Sequence, residues 1–260
     1  MTHLAPLGRR AAVEFVGTAA LVTVVVGSGI QATALSPDVG VQLLANSLAT
    51  VLGLGVLIAL LGPVSGAHFN PAVTLAIWWT GGRGRRGRAD GDDDGLRQLA
   101  AYLPAQIAGA ISGAVLADAM FAQPLVRFST HHRSAPHLWL GEVVATAGLV
   151  LLILGLARSG RTQLAPVAVA SYIGAAYWFT SSTSFANPAA TIGRAFTDTF
   201  AGIAPGSVLP FIGAQLVGTA AGVALAAVCF RHPKPKPKLS EADLVAAPGG
   251  HHLVVKGAQL

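Results

Sequence analysis

Charge is what this chain has least of. Only 11% of its 260 residues are Asp, Glu, Lys or Arg, against about 25% in an ordinary soluble domain. That scarcity, with long apolar runs, excludes a soluble globular protein and points to a membrane protein. Cysteine is nearly absent too. The single Cys229 excludes an intrachain disulfide and reads as a small buried or lipid-facing residue. Basic residues are missing from one side of the chain's hydrophobic pattern, which carries mainly Arg127, Arg133 and Arg194. The remainder are split among short loops, which argues against nucleic acid as a partner.

What is present is apolar length. Val13–Ile30, Leu43–Leu61, Leu138–Ala157 and Ile212–Phe230 are four such runs. Leu99–Phe121 and Leu164–Phe179 are two more, broken by Pro104 with Gln106 and by Pro166 with Ser171. Each approaches the roughly 20 residues that cross a bilayer as a helix. Arg9-Arg10 before the first run and Ala32-Thr33-Ala34 after it imitate a signal peptide. The run is long for a signal core, however, and it has a partner in the second half.

With six spans, Arg9, Arg10, Arg83, Arg85, Arg86, Arg88, Arg97, Arg158, Arg161, Arg231, Lys234, Lys236 and Lys238 fall on one side. The positive-inside bias puts both termini in the cytoplasm and the protein in a plasma (inner) membrane. Arg83–Asp94 reads as a solvated cytoplasmic insert. Residues 231–260, opened by Pro233-Lys-Pro-Lys-Pro-Lys238, read as an extended, disordered cytoplasmic tail.

The chain also copies itself. Glu14-Phe-Val-Gly-Thr-Ala-Ala-Leu-Val matches Glu142-Val-Val-Ala-Thr-Ala-Gly-Leu-Val, and Ala105-Gln106-Ile-Ala-Gly-Ala matches Ala214-Gln215-Leu-Val-Gly-Thr. Phe69-Asn70-Pro71-Ala72-Val-Thr-Leu matches Ala186-Asn187-Pro188-Ala189-Ala-Thr-Ile. The order is the same in both halves, about 9–121 and 138–230. Three spans per half force the second half to enter the membrane inverted, an architecture of channels and transporters with the site near the midplane.

The segments carrying Asn-Pro-Ala are too short to span. Pro71–Thr80 and Pro188–Thr197 are about ten residues each, roughly 15 Å of helix, with Asn as cap and Pro at the first helical position. Gly62–Gly66 and Thr180–Ser184 are non-helical leads, tolerated at membrane depth only inside protein or along a water-filled cavity. The expected fold is therefore an all-α membrane protein. It has six transmembrane helices and two re-entrant half-helices in an inverted 3+3 repeat, as one channel domain over residues 1–230.

Ser65-Gly-Ala-His-Phe-Asn-Pro-Ala-Val-Thr, with the second Asn-Pro-Ala, resembles the aquaporins and aquaglyceroporins over about residues 9–230. The resemblance implies a passive channel, not an enzyme, forming a homotetramer in membrane lipid, with no cofactor or metal. Asn70 and Asn187 would aim their amides at the lumen, and two helix N-termini would add positive potential there, which bars cations in pores of this kind. Carbonyls of Gly66, Ala67 and His68, and of Ser182, Thr183 and Ser184, would form an acceptor ladder. Glu14 and Glu142, costly inside a membrane, would accept hydrogen bonds from the loops, with Gln106 and Gln215 as internal polar glue. His68 reads as a satisfied structural histidine, with a pH-sensing gate as the alternative. His131, His132 and His137 read as residues of a solvated external loop.

Counting from the tripeptides, the family's four filter positions fall on Thr50, Ala175, Ser184 and Ala190. Aromatics, a histidine and an arginine are usual there; this chain shows none. Arg194, four residues beyond Ala190, lies on the same helix face one turn further out. It reads as a salt-bridge or vestibule charge, or as a partial stand-in. Small filter residues, with Asp198-Thr-Phe-Ala-Gly-Ile-Ala-Pro205, are similar to a bacterial subgroup of aquaglyceroporins encoded with arsenic-resistance genes. That resemblance implies a wide filter passing glycerol, urea, arsenite or antimonite trihydroxides, methylarsenicals and water. An ordinary water or glycerol channel is the alternative, and a structural or adhesive membrane protein with a closed pore is the reading from another class.

Overall fold

The structure is a computed structural model that describes residues 5–84 and 91–230; of residues 82–93 the side chains are not described. Eight α-helices occur among the described residues. They are α1 (Leu7–Leu35), α2 (Val39–Ser65), α3 (Pro71–Gly84), α4 (Gly91–Met120), α5 (Pro136–Arg158), α6 (Ala165–Phe179), α7 (Pro188–Gly193) and α8 (Pro205–Cys229). Five of them (α1, α2, α4, α5 and α8) are long and apolar enough to cross a membrane. The sixth span, α6, has 15 residues and is preceded by a 3-10 turn at Thr162–Leu164. Together these cover roughly 28 Å, close to the hydrocarbon thickness.

Local chemistry sets the helix ends. The Asp38 carboxylate accepts from the Val41 amide at 2.9 Å and caps α2. α2 stops at Gly66, whose φ of 91° only glycine adopts cheaply and whose N–H returns to Gly62. Proline opens α5, α7 and α8 at the first turn. The half-helices differ from expectation in length. α3 runs 14 residues, whereas α7 is only six and tightens into a 3-10 turn at Arg194–Phe196.

α1 packs on α4, and α5 on α8, as one pairing repeated in both halves. The cause is a Gly-x-x-x-Gly pair three and seven residues after each repeat glutamine. A Cβ on Gly109 or Gly113 would stand 2.4 or 2.2 Å from the carbonyl oxygens of Phe15 and Ala19. One on Gly218 or Gly222 would stand 2.6 Å from those of Val143 and Ala147. Such close backbone approach is how helices associate where lipid supplies no hydrophobic drive. On α2, by contrast, Leu44, Leu48, Leu52, Val56 and Leu60 form an exposed apolar row at four-residue spacing, the face expected toward lipid or neighbouring protein.

Both ends of the described chain lie on one face of the bundle, here the near face. α3 leads from the middle toward it, and α7 leads from the middle toward the far face. The calls for a disordered tail at 231–260 and for most of the Arg83–Asp94 insert fall outside the described residues.

Candidate functional site

The two loops preceding α3 and α7 meet end to end. The Asn70 amide nitrogen donates to the carbonyl of Ala186 at 2.7 Å, and the Asn187 amide nitrogen donates to the carbonyl of Phe69 at 2.8 Å. Each asparagine thus ties its own half-helix to the opposite loop. Its side-chain oxygen meanwhile caps its own helix, accepting from Ala72 in one case and from Ala189 and Ala190 in the other. An amide NH2 has two hydrogens, so one on each asparagine is left for the lumen.

The loop backbones repeat as well. Residues four, three and one before each asparagine all take positive φ: Gly66 (91°), Ala67 (49°) and Phe69 (47°), then Thr183 (61°), Ser184 (51°) and Ala186 (46°). For the five non-glycine residues this is strain, which persists where surrounding structure over-determines it and clusters at functional sites. Buried carboxylates supply that constraint. Glu14 accepts from the Ser65 hydroxyl (2.7 Å), the His68 and Phe69 amides (3.0 and 2.7 Å) and Gln106 (2.8 Å). Glu142 accepts from the Phe185 and Ala186 amides (2.8 Å each) and from Gln215 (2.6 Å). Gln106 and Gln215 also donate to Thr74 and Thr191, which donate back to the carbonyls of Asn70 and Asn187.

Along these loops lies a narrow cavity of about 140 Å³, lined by Gly66 to Asn70, Ser184 to Asn187 and Ala190. Its other walls are apolar: Leu21, Val25, Leu54, Ile58, Leu149, Ile153, Val169 and Ile173. Toward the near face it shares Gly66, His68 and Ile77 with a vestibule of about 1010 Å³. Among the described residues no hydrogen bond ends on the carbonyls of Gly66, Ala67, His68, Ser184 or Phe185. A polar stripe of free acceptors therefore faces an apolar wall. His68 bonds Thr74 at 3.1 Å and packs edge-on against Tyr102.

Two sequence expectations need correction. Ala175 is exposed and does not line the cavity. The inward stripe of α6 is Ala165, Val169, Ile173 and Tyr177, spaced by four, and a residue two positions off that stripe points to the other side of the helix. The aromatic thought missing is thus Tyr177, whose hydroxyl meets that of Thr50 at 3.1 Å. An inward four-residue stripe running to the helix end was the sequence signal for it. The second carbonyl set is also displaced. Ser184, Phe185 and Ala186 line the cavity, whereas Ser182 and Thr183 do not.

Thr50, Ser184 and Ala190 do line it, and the Ser184 hydroxyl is buried with no partner among the described residues. So does Arg194, which is 5% exposed. Its guanidinium lies 3.4 Å from the centre of the Phe185 ring, and its Nε donates to the Ala201 carbonyl. Sequence reasoning placed this side chain further out, in the vestibule.

Comparison with known proteins agrees with this geometry. The profile of the family described as "Major intrinsic protein" matches residues 2–186. Aquaglyceroporin AqpS of Rhizobium meliloti is 48% identical over 219 residues, covering 84% of this chain and 89% of that protein. The glycerol uptake facilitator protein of Pseudomonas aeruginosa is 31% identical, covering 84% of this chain and 86% of its own. In fold, the chain is similar to the X-ray structure of the aquaglyceroporin from Plasmodium falciparum, with a TM-score of 0.59 at 21% identity over 86% of this chain and 95% of that one. The chain belongs to the major intrinsic protein family, multi-pass membrane channels and not enzymes.

Proposed function

We propose that the protein is a passive channel for small neutral solutes: water, glycerol, urea and the uncharged trihydroxides of arsenite and antimonite, with methylarsenicals at the large end. The observation that carries this reading is the cavity's two-sidedness. Free carbonyls and two crossed asparagine amides form one edge and aliphatic side chains form the other. A polyol or a trihydroxide offers hydroxyls to the first and a weakly hydrated face to the second. Among the described residues, a cation finds no carboxylate in the lining and is penalised by desolvation. The names of the two bacterial relatives, an aquaglyceroporin and a glycerol uptake facilitator, support the same class.

The bias of basic residues supports a near face toward the cytoplasm, with both termini there and the chain in the inner membrane. Family likeness supports a homotetramer with one pore per subunit, and a single channel domain over residues 1–230 followed by a tail.

Stopped-flow swelling of proteoliposomes tests the solute class. Ala190 lines the pore with a side chain that leaves it open. Ala190→Arg is expected to reduce glycerol and arsenite flux by at least about tenfold, a barrier of about 1.4 kcal/mol, and water flux much less. Equal losses for all three, or no solute flux in the wild type, would defeat the reading.

Tyr177 favours a second reading, an ordinary water or glycerol channel. Its bond to Thr50 joins α6 to α2 across the far end of the cavity and narrows it. A wild type that passes water alone, and gains glycerol flux in Tyr177→Ala, would select that reading.

A further inference from the structure

Two cations at the far end of the cavity, Arg194 buried and Arg133 half-buried, make no ion pair among the described residues. Arg194 and Arg133 both rest against one aromatic ring, that of Phe185, at 3.4 and 5.1 Å from its centre. Phe185 and Arg194 line the cavity. Both guanidinium Nε atoms donate to backbone carbonyls, Arg194 to Ala201 and Arg133 to Gly202. Among the described residues neither makes an ion pair; the arginine that does so nearby is Arg127, with Asp198. Burying one guanidinium without a counter-ion is unfavourable, and placing two beside each other adds repulsion. Cation–π contact with Phe185 offsets part of that cost. A buried guanidinium such as Arg194 in the lining of a membrane channel marks the path of a solute.

Arg133 does not come from a span. It belongs to the connection 121–135, which lies as a strap over residues 195–207. Ser129 donates its amide to Ala195, Thr130 donates amide and hydroxyl to Asp198, and His131 accepts from Ala204. The Arg133 amide donates to Ser207, and Ser134 meets the same hydroxyl at 2.8 Å. The fit is close: a Cβ on Gly202 would stand 2.4 Å from the Ser129 hydroxyl. The strap is therefore built to deliver one side chain to a fixed place.

We propose that Arg133 and Arg194, gathered on the Phe185 ring, are together the channel's charge filter, with the external strap supplying half of it. Position 190 is alanine, so the charge that rejects cations comes from one turn further along the half-helix and from outside the spans. Arg194 in the lining and Arg133 behind the same ring each add to the barrier to a cation, while an uncharged solute feels neither. The inference rests on the reading of the cavity as an open channel for neutral solutes.

The test is the ratio of methylammonium flux to glycerol flux in proteoliposomes. Arg133→Gln and Arg194→Gln are each expected to raise it about tenfold or more, and the double variant further still. The pair Arg133→Lys with Arg194→Lys, which keeps charge and loses the planar stack, is expected to hold the ratio within about twofold of wild type. A double Gln variant as cation-tight as the wild type overturns the proposal. So does a Lys pair that leaks like the Gln pair, since packing would then be the cause. If the double variant does not fold, Arg133→Gln alone decides, because Thr130 and Arg127 still latch its strap; an unchanged ratio there overturns the proposal. Absence of glycerol flux in the wild type defeats the channel reading itself, and is scored separately.

Discussion

The two halves of the pore are built on one plan and finished differently. In the near half, His68 precedes the asparagine by two and packs edge-on on Tyr102, with centroids 5.3 Å apart and planes at 70°. In the far half, Phe185 occupies the same offset and packs on Phe211 at 5.3 Å and 71°. Tyr102 and Phe211 each precede the repeat glutamine by four. Seven residues past the asparagines stand Ile77 and Arg194, both lining the cavity. The shared features are backbone conformation, caps and buried carboxylates, which the geometry of two opposed half-helices requires. The differences lie in the side chains a solute meets. The near half is a wide funnel with Arg158 in its wall, and the far half gathers two guanidinium groups and a tyrosine. On the proposed reading, selection of solutes is concentrated at the far end.

If the shared plan is the structural part, removing its centre should be the most damaging change, and unequally so. Glu14 holds four donors and Glu142 holds three. Orphaning a buried donor costs about 1–3 kcal/mol. Glu14→Leu is thus expected to destabilise by about 4 kcal/mol or more, and Glu142→Leu by about 3. Thermal unfolding followed by size-exclusion chromatography in detergent measures both. A Glu142 variant less stable than the Glu14 variant would break the ranking.

Helix contacts give a closer comparison with a smaller effect. An added methyl at Gly113 meets a backbone oxygen at 2.2 Å, and one at Gly222 meets its counterpart at 2.6 Å. Backbone cannot move aside as a side chain can, so both belong at the upper end of overpacking costs. Gly113→Ala is expected at about 3 kcal/mol and Gly222→Ala at about 2. Equal melting temperatures for the two variants would show that the halves relax alike despite their different clearances.

Repetition is also why so much was legible in sequence. The matched glutamates, glutamines and tripeptides fix topology, because an odd number of spans per repeat admits one arrangement. What failed lay where the second half departs from its copy. α6 continues to Phe179, and its inward stripe reaches Tyr177. Counting from the tripeptides to Ala175 landed two residues off that stripe. The carbonyl set implied by resemblance, Ser182 to Ser184, likewise falls short of the observed Ser184 to Ala186. Arg133 carried no signal, since a loop arginine acquires its position only through the strap contacts around Gly202 and Ser207. Such long-range placement leaves no periodic trace.

The smallest expected effect separates the two halves by their response to acid. In the near half, Arg10 donates to the Tyr102 hydroxyl at 3.0 Å, which donates to the Ser65 carbonyl at 2.7 Å. The carboxylate that holds this loop, Glu14, is fully buried. In the far half, the strap hangs on Asp198. The Thr130 amide lowers its carboxyl below the ordinary value, aided by the Thr130 hydroxyl, Arg127 and His131. Arg127 contributes little, because its side chain is 62% exposed and its ion pair is screened. A group whose pKa is depressed on folding stabilises fully above its unfolded value, about 3.9 for Asp. That contribution is lost as pH falls through the folded value. Amide exchange in residues 127–134 should therefore keep constant protection, after correction for intrinsic rates, from pH 7 to about pH 5. Protection should then weaken below about pH 4. Asp198→Asn should show the weakened strap already at pH 7, since the amide is a poorer acceptor for two donors. An acid response that persists unchanged in Asp198→Asn would mean that Asp198 is not what holds the strap.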